Sequence, residues 1–327
     1  MPRILRWGII GCGDVVERKS GPSIQQAGRS QIVALMRPSR EKLRPLAEAL
    51  GVSVWTDQAD AVLEHPSIDI IYVATPPSSH KQYVLAAAKA GKNVLVEKPM
   101  GMETDEGRRM IEACDQAGVE LFVAYHRRFH PHVVHMRKLI REGRIGRPVQ
   151  AFVDIAHGPP ANTNIWRFDP EISGGGLFVD TGSHRVDVIV SLLGEVDEVC
   201  GVATTFDPEC RVEQAVSLCL RFRSGAQCVV TGDFYSRRRA DRLEIIGTEG
   251  KVFAERLGEH AFVLQSGEAR ETFSFDPYPA PHLGLIRHIE EVLLDGKTNE
   301  SSGRDGLITE KVLDAAVRRF LFFPRKP

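Results

Sequence analysis

Leu5-Arg6-Trp7-Gly8-Ile9-Ile10-Gly11-Cys12-Gly13-Asp14-Val15-Val16 is the stretch on which the reading of the chain turns. An apolar run, Leu5–Ile10, passes directly into Gly-x-Gly. A buried strand that turns through glycines into a helix leaves free backbone N–H groups at the helix N-terminus, and a pyrophosphate can bind there. The usual third small residue is replaced by Val16, and Gly-x-Gly alone also occurs in turns that bind nothing. Its place between the first strand and the first helix favours the binding reading. Gly11, Gly13, Asp14 and Val15 are the first candidate cofactor contacts.

Outward from this turn, short Val- and Ile-rich runs alternate with amphipathic stretches. Ile32–Met36, Ile68–Ala74, Asn93–Val96 and Glu120–Ala124 read as further buried parallel strands. Arg40–Leu50, His80–Ala90 and Asp105–Ala117 read as helices, the last two closed by Gly91 and Gly118. This alternation predicts a doubly wound parallel sheet over residues 1–124. From residue 125 the texture changes. A helix over Pro131–Glu142 leads into strand-like sequence from Val149, a loop with Gly158, Pro159, Pro160 and Asn162, and a glycine run that opens a helix to about Leu193. Five strands follow, Val199–Thr205, Ala215–Phe222, Ala226–Phe234, Arg242–Ile246 and Gly250–Glu255, then helices over His282–Leu294 and Gly303–Phe320. The expected fold class is therefore α/β plus α+β, with a Rossmann domain at 1–124 and a sheet domain at 125–327.

With 327 residues the chain is long enough for two cores. A net charge of −1 provides no field for nucleic acid or an anionic membrane, and no apolar run approaches membrane-spanning length. The six cysteines form no C-x-x-C pair and suit a reducing compartment. The N-terminus lacks the pattern of a secretory signal, so the chain reads as complete and cytoplasmic.

At the end of the second strand a protein selecting NAD usually places an acid for the ribose hydroxyls. Here the sequence is Arg37-Pro38-Ser39-Arg40. Two guanidinium groups and a hydroxyl suit a 2′-phosphate, which favours NADP over NAD. The other reading is a solvated basic turn in which Ser39 caps the following helix.

Glu97-Lys98-Pro99 follows the strand Asn93–Val96, and Ala74-Thr75-Pro76-Pro77-Ser78-Ser79-His80 stands at the end of the strand before it. A lysine fixed by proline at a strand's carboxyl end lies where open α/β sheets bind ligands, and an ammonium there can stabilise charge on a carbonyl oxygen. With the glycine-run helix, these segments resemble the glucose–fructose oxidoreductase / inositol dehydrogenase (Gfo/Idh/MocA) family along the whole chain. The resemblance implies a Rossmann domain followed by an open, largely antiparallel sheet, homo-oligomers (dimer or tetramer), and hydride transfer to or from sugars, cyclitols and related carbonyls. It places Lys98 beside nicotinamide and substrate, assigns Thr75, Pro76, Pro77, His80, Glu97 and Lys98 to the cofactor site, and implies a cis Lys98–Pro99 bond.

Gly174-Gly175-Gly176 precedes Leu177-Phe178-Val179-Asp180-Thr181-Gly182-Ser183-His184-Arg185-Val186-Asp187. Asp180, His184 and Asp187 are four and then three residues apart, which puts them on one helical face. An imidazole beside a carboxylate suits the proton that accompanies hydride transfer. The resemblance makes His184 the general acid/base and Asp180 a substrate contact; Asp187 is left without a role. The glycines allow a close backbone approach to a ligand or to another strand.

Arg128, Trp166 and Arg167 resemble substrate-lining residues of the family, and aromatic and guanidinium groups suit polyhydroxyl ligands. Among His126, His130, His132 and His135, Pro131 interrupts the spacing and no acid or thiol stands close, so no metal site is expected. Arg237-Arg238-Arg239 reads as a solvated turn. The expected function is an NADP- or NAD-dependent dehydrogenase or reductase of a sugar-like small molecule. A nicotinamide-dependent glycosidase and a non-catalytic cofactor or sugar sensor are the alternatives.

Overall fold

The computed structural model describes residues 3–159 and 165–318. Pro160 and Asn162 of the expected loop, and the expected end of the last helix at Phe320, lie outside the described residues. The chain divides into two compact units, Met1–His126 with Tyr278–Leu307, and Arg127–Pro277 with Ile308–Pro327.

The first unit is built on β1 (Leu5–Ile10), β2 (Ser30–Met36), β3 (Val54–Thr56), β4 (Ile70–Val73), β5 (Asn93–Val96) and β6 (Leu121–Val123). All pairings are parallel and the order is β3-β2-β1-β4-β5-β6, the dinucleotide-binding arrangement. Every residue of β4 and all but the first of β5 are buried, as strands covered on both faces must be. Within β1 only Arg6 departs from full burial, and its guanidinium is held by Asp69 at 3.0 Å. The order reverses direction on either side of β1, and in open α/β sheets the crevice at such a point, here at the carboxyl ends of β1 and β4, is where ligands bind.

In one respect the units differ from a simple cut after residue 124. Residues 278–307 pack with the first unit. Val123 N–H donates to the Ser301 carbonyl at 2.9 Å, and Ser301 Oγ donates to the Val123 carbonyl at 2.7 Å, which covers the edge beside β6. The helix Leu283–Asp295 is fastened through Asp295 and Glu290 to Arg29 and Ser30.

The second unit holds β7 (Pro148–Ala156), β8 (Val196–Thr204), β9 (Ala215–Phe222), β10 (Gln227–Asp233), β11 (Ala240–Gly247), β12 (Gly250–Ala254), β13 (Ala261–Ser266) and β14 (Ala269–Ser274). The order is β14-β13-β12-β11-β7-β10-β9-β8, antiparallel except where β7 runs parallel to β10. Burial alternates along β9, where Val216, Leu218, Leu220 and Phe222 face inward, as in a sheet covered on one face. That face packs with Val186, Ile189 and Val190 of the helix Ser183–Leu193 in one apolar core. Among the described residues no helix is long and apolar enough to cross a membrane.

Candidate active site

In the first unit, Gly11 and Gly13 have different reasons to be glycine. Gly11 sits at φ +93, and a Cβ there would meet the backbone nitrogen of Thr75 at 2.6 Å. The chain needs glycine at 11 so that β1 and β4 can end side by side. A Cβ at Gly13 would meet no protein atom within 4 Å. The space over Gly13 is open at the mouth of the sheet, where a pyrophosphate would approach the backbone. Cys12 between them is fully buried, its N–H donates to the Met36 carbonyl at 3.2 Å, and burial pushes its thiol up to about 12. It is a packing residue, while Asp14 is exposed and Val15 half-buried beside it.

Arg37 reaches back to this turn and donates to the Cys12 carbonyl at 3.0 Å. One of the two guanidinium groups expected to mark a 2′-phosphate is therefore at the glycine turn. The other, Arg40, lies 3.5 Å from Asp57 and over the Trp55 ring at 5.3 Å. Ser39 occupies the N-cap position of Arg40–Leu50 without a side-chain capping bond, so its hydroxyl is not needed by the helix.

The loops after β4 and β5 are bound to one another by His80. Its Nε2 lies 2.8 Å from the Thr75 carbonyl and its Nδ1 3.0 Å from the Pro99 carbonyl. The ring is wholly buried, and that burial lowers its pKa. His80, assigned to the cofactor site by the resemblance, is buried where it sets the spacing of Thr75 and Pro99. Thr75, Pro76 and Pro77 form the turn itself, with Ser79 Oγ 2.8 Å from Thr75 Oγ1. Lys98–Pro99 is cis, as the family resemblance implied.

Glu97 is 7 % exposed and serves as a brace. Its Oε1 accepts the buried Tyr72 hydroxyl from β4, and its Oε2 accepts the Lys98 N–H at 3.1 Å. Lys98 is half-buried on this brace. Two histidines that sequence reading did not connect also stand here. His126 and His282 stack with ring centroids 4.3 Å apart. Burial pushes His282 down to about 4, with Glu97 opposing that and Lys19 and Lys98 adding to it. No spacing in the sequence links residues so far apart, so no local signal could have found the pair.

In the second unit, Trp166, Arg167 and Asp180 come together. The Arg167 guanidinium lies over the Trp166 ring at 4.5 Å, and its Nε is 3.5 Å from Asp180 Oδ2. All three keep solvent access, with Trp166 at 37 %. Asp180 lies in a π turn, Phe178–Gly182, and His184 in the α-helix that continues from it. The expected single α-helical face is therefore interrupted, because a π turn advances the chain by i→i+5 and shifts the phase before His184. His184 is 7 % exposed.

Arg128 and the glycine run are both engaged within the protein. Arg128 does not line an open site. Its Nε donates to Asp187 Oδ2 at 3.0 Å, and side-chain exposure is 3 % for Arg128 and 0 % for Asp187. Asp187 thereby gains a role, anchoring the His184 helix to the segment His126–Phe129 through Arg128. The glycine run makes a close approach to the chain itself, one of the two alternatives its sequence leaves open. Gly176, Phe178 and Val179 donate their N–H groups to the buried Glu213 carboxylate at 2.6, 3.0 and 3.1 Å. Glu213 thus satisfies the N–H groups that open the helix. Burial raises its pKa against these bonds. Arg237, Arg238 and Arg239 are exposed as expected, with Arg238 paired to Asp154.

Residues 5–125 match the model of an oxidoreductase family with an NAD-binding Rossmann fold, and residues 133–253 match the GFO/IDH/MocA C-terminal domain. "Oxidoreductase P35" of Formosa agariphila is 36 % identical over 259 residues, which cover 76 % of this chain and 78 % of that one. The chain belongs to the Gfo/Idh/MocA family of oxidoreductases. The 1,5-anhydro-D-fructose reductase of Ensifer adhaerens is 30 % identical across 92 % of each chain. Aldose–aldose oxidoreductase from Caulobacter crescentus, solved with glycerol, superposes with a TM-score of 0.87 at 29 % identity over 96 % of each chain. The protein is thus a Gfo/Idh/MocA enzyme with a nicotinamide-binding unit. Lys98 lies within the first matched span, and Asp180 and His184 within the second.

Proposed function

We propose that this Gfo/Idh/MocA oxidoreductase is a cytoplasmic, homo-oligomeric dehydrogenase or reductase of a sugar, cyclitol or related small carbonyl, with NADP(H) preferred over NAD(H). The observation that carries the reading is Lys98 on its Glu97–Tyr72 brace, at the carboxyl edge of a sheet whose glycine turn is open over Gly13. The relatives named as sugar oxidoreductases support the substrate class.

A nicotinamide dinucleotide bound at this edge supplies or accepts hydride. The backbone at Gly11–Val15 would hold the pyrophosphate, and Thr75, Pro76 and Pro77 would line its approach. Arg37, held at the glycine turn by the Cys12 carbonyl, would meet a 2′-phosphate, and the absence of an acid in Arg37-Pro38-Ser39-Arg40 supports this reading. Lys98 directs its ammonium to the substrate oxygen and stabilises the charge that develops there. His184 takes the hydroxyl proton in oxidation and returns it in reduction. Asp180 accepts a substrate hydroxyl, and Trp166 with Arg167 offers an aromatic face and a fixed guanidinium to a sugar ring. Arg128 and Asp187 are positioning residues. The test is turnover of NADP(H) and NAD(H) against sugars, cyclitols and dicarbonyls in both directions. Turnover lost in His184→Ala supports the reading; cofactor binding without any turnover contradicts it.

A further inference from the structure

His130, His132 and His260 each bring one imidazole nitrogen to within 4.8 Å of the others. His130 is the N-cap of the helix Pro131–Arg141, and His132 lies in the first turn of that helix. His260 closes the short turn Leu257–Glu259 between β12 and β13, at φ 58. It is the one non-glycine residue with positive φ among the described residues. Its turn holds the ring in a fixed direction beside the other two.

The contact geometry is specific. His132 Nδ1 and His260 Nδ1 face each other at 3.2 Å. Two nitrogens bound to one tetrahedral zinc at about 2.0–2.1 Å lie roughly 3.3 Å apart. The His130 and His260 rings stack at 5.2 Å, and His132 meets His260 edge-on at 4.7 Å. His132 is 1 % exposed, whereas His130 and His260 are half-buried, so the cluster is reached from one side. Burial holds His132 at about 4 and lowers His260, with Arg127 acting in the same direction on both.

We propose that His130, His132 and His260 form a three-imidazole site for a borderline-soft divalent ion such as Zn2+, with a fourth position open to water or a small anion. Three imidazoles suit zinc, nickel and copper and not magnesium or calcium. Bound there, the ion clips the start of the helix Pro131–Arg141 to the β12–β13 connection. The Arg127 guanidinium nearby favours a hydroxide or halide as the fourth ligand, since either offsets the added positive charge. The sequence offered His130 and His132 but not His260, which is 128 residues further on.

The test uses the chelator-treated full chain, with Co2+ as the optical probe and Zn2+ as competitor. One equivalent of Co2+ is expected to produce visible d–d absorption of a low-coordinate site, discharged by Zn2+. His130→Gln and His260→Asn should each weaken binding by at least roughly tenfold. Asparagine tolerates the left-handed backbone and keeps the turn, so a circular dichroism spectrum equal to that of wild type is expected. Zn2+ should raise the thermal midpoint of wild type and leave those of both variants unmoved. No cobalt spectrum in wild type, or equal uptake by both variants, would overturn the assignment.

Discussion

The Arg128 guanidinium and the Asp187 carboxylate are joined in a pair that solvent hardly reaches, with side-chain exposures of 3 % and 0 %. Breaking such a pair from one side leaves a buried charge and costs about 3–5 kcal/mol. Asp187→Asn should therefore destabilise the fold by that order in urea denaturation. Arg128→Met combined with Asp187→Leu should recover most of the loss, because the double change leaves no unpaired charge. A double variant less stable than Asp187→Asn would show that the pair itself, and not the orphaned charge, carries the stability.

Gly11 and Gly13 separate folding from cofactor binding. Gly11→Ala forces a Cβ into Thr75 at positive φ and should lower soluble yield and thermal midpoint. Gly13→Ala meets no protein atom and should change stability by no more than about 0.5 kcal/mol. It should still weaken nicotinamide cofactor binding by roughly tenfold, because the methyl group enters the space the pyrophosphate needs. Fluorescence titration with NADPH checks this; unchanged affinity in Gly13→Ala would place the dinucleotide elsewhere.

How much of this was legible in the sequence follows from the distance over which each feature acts. Leu5–Ile10, Arg40–Leu50 and Asn93–Val96 read directly, because strands buried on both faces and amphipathic helices carry their pattern locally. β3 was missed: it has three residues and Val54 is exposed. β14 was missed because its residues Ala269–Glu271 and Thr272 face solvent and leave no apolar alternation. Asp180 and His184 stand out in the sequence on the assumption of one helical period, and the π turn over Phe178–Gly182 is what that assumption does not see. Arg128 with Asp187, Gly176 with Glu213, and His126 with His282 are tertiary pairs, and nothing in their local spacing announces them.

His282 gives stability a pH dependence. Its pKa is near 6.5 when unfolded and about 4 when folded, so between these values the unfolded chain binds the extra proton. Stability should be fully present above pH 6.5 and fall as pH drops toward 4, by about 3 kcal/mol from this residue. Urea midpoints across that window measure it, and His282→Leu should show a shallower slope. An equal slope in the variant would remove His282 as the source.

Arg37 should decide between the two nicotinamide cofactors. Arg37→Asp replaces a phosphate partner with a group that accepts ribose hydroxyls, and should shift the NADP/NAD ratio of kcat/KM toward NAD by tenfold or more, about 1.4 kcal/mol. An unmoved ratio would leave Arg37 as a brace for the Cys12 carbonyl.

The most direct test of the central claim is the effect of Lys98→Ala and His184→Ala on turnover and on cofactor affinity, measured side by side with a substrate found by the panel. The account predicts that kcat falls by at least roughly a hundredfold in each variant, while the cofactor Kd stays within a few fold of wild type. Loss of turnover that only tracks loss of cofactor affinity, or turnover that survives in both variants, would contradict it.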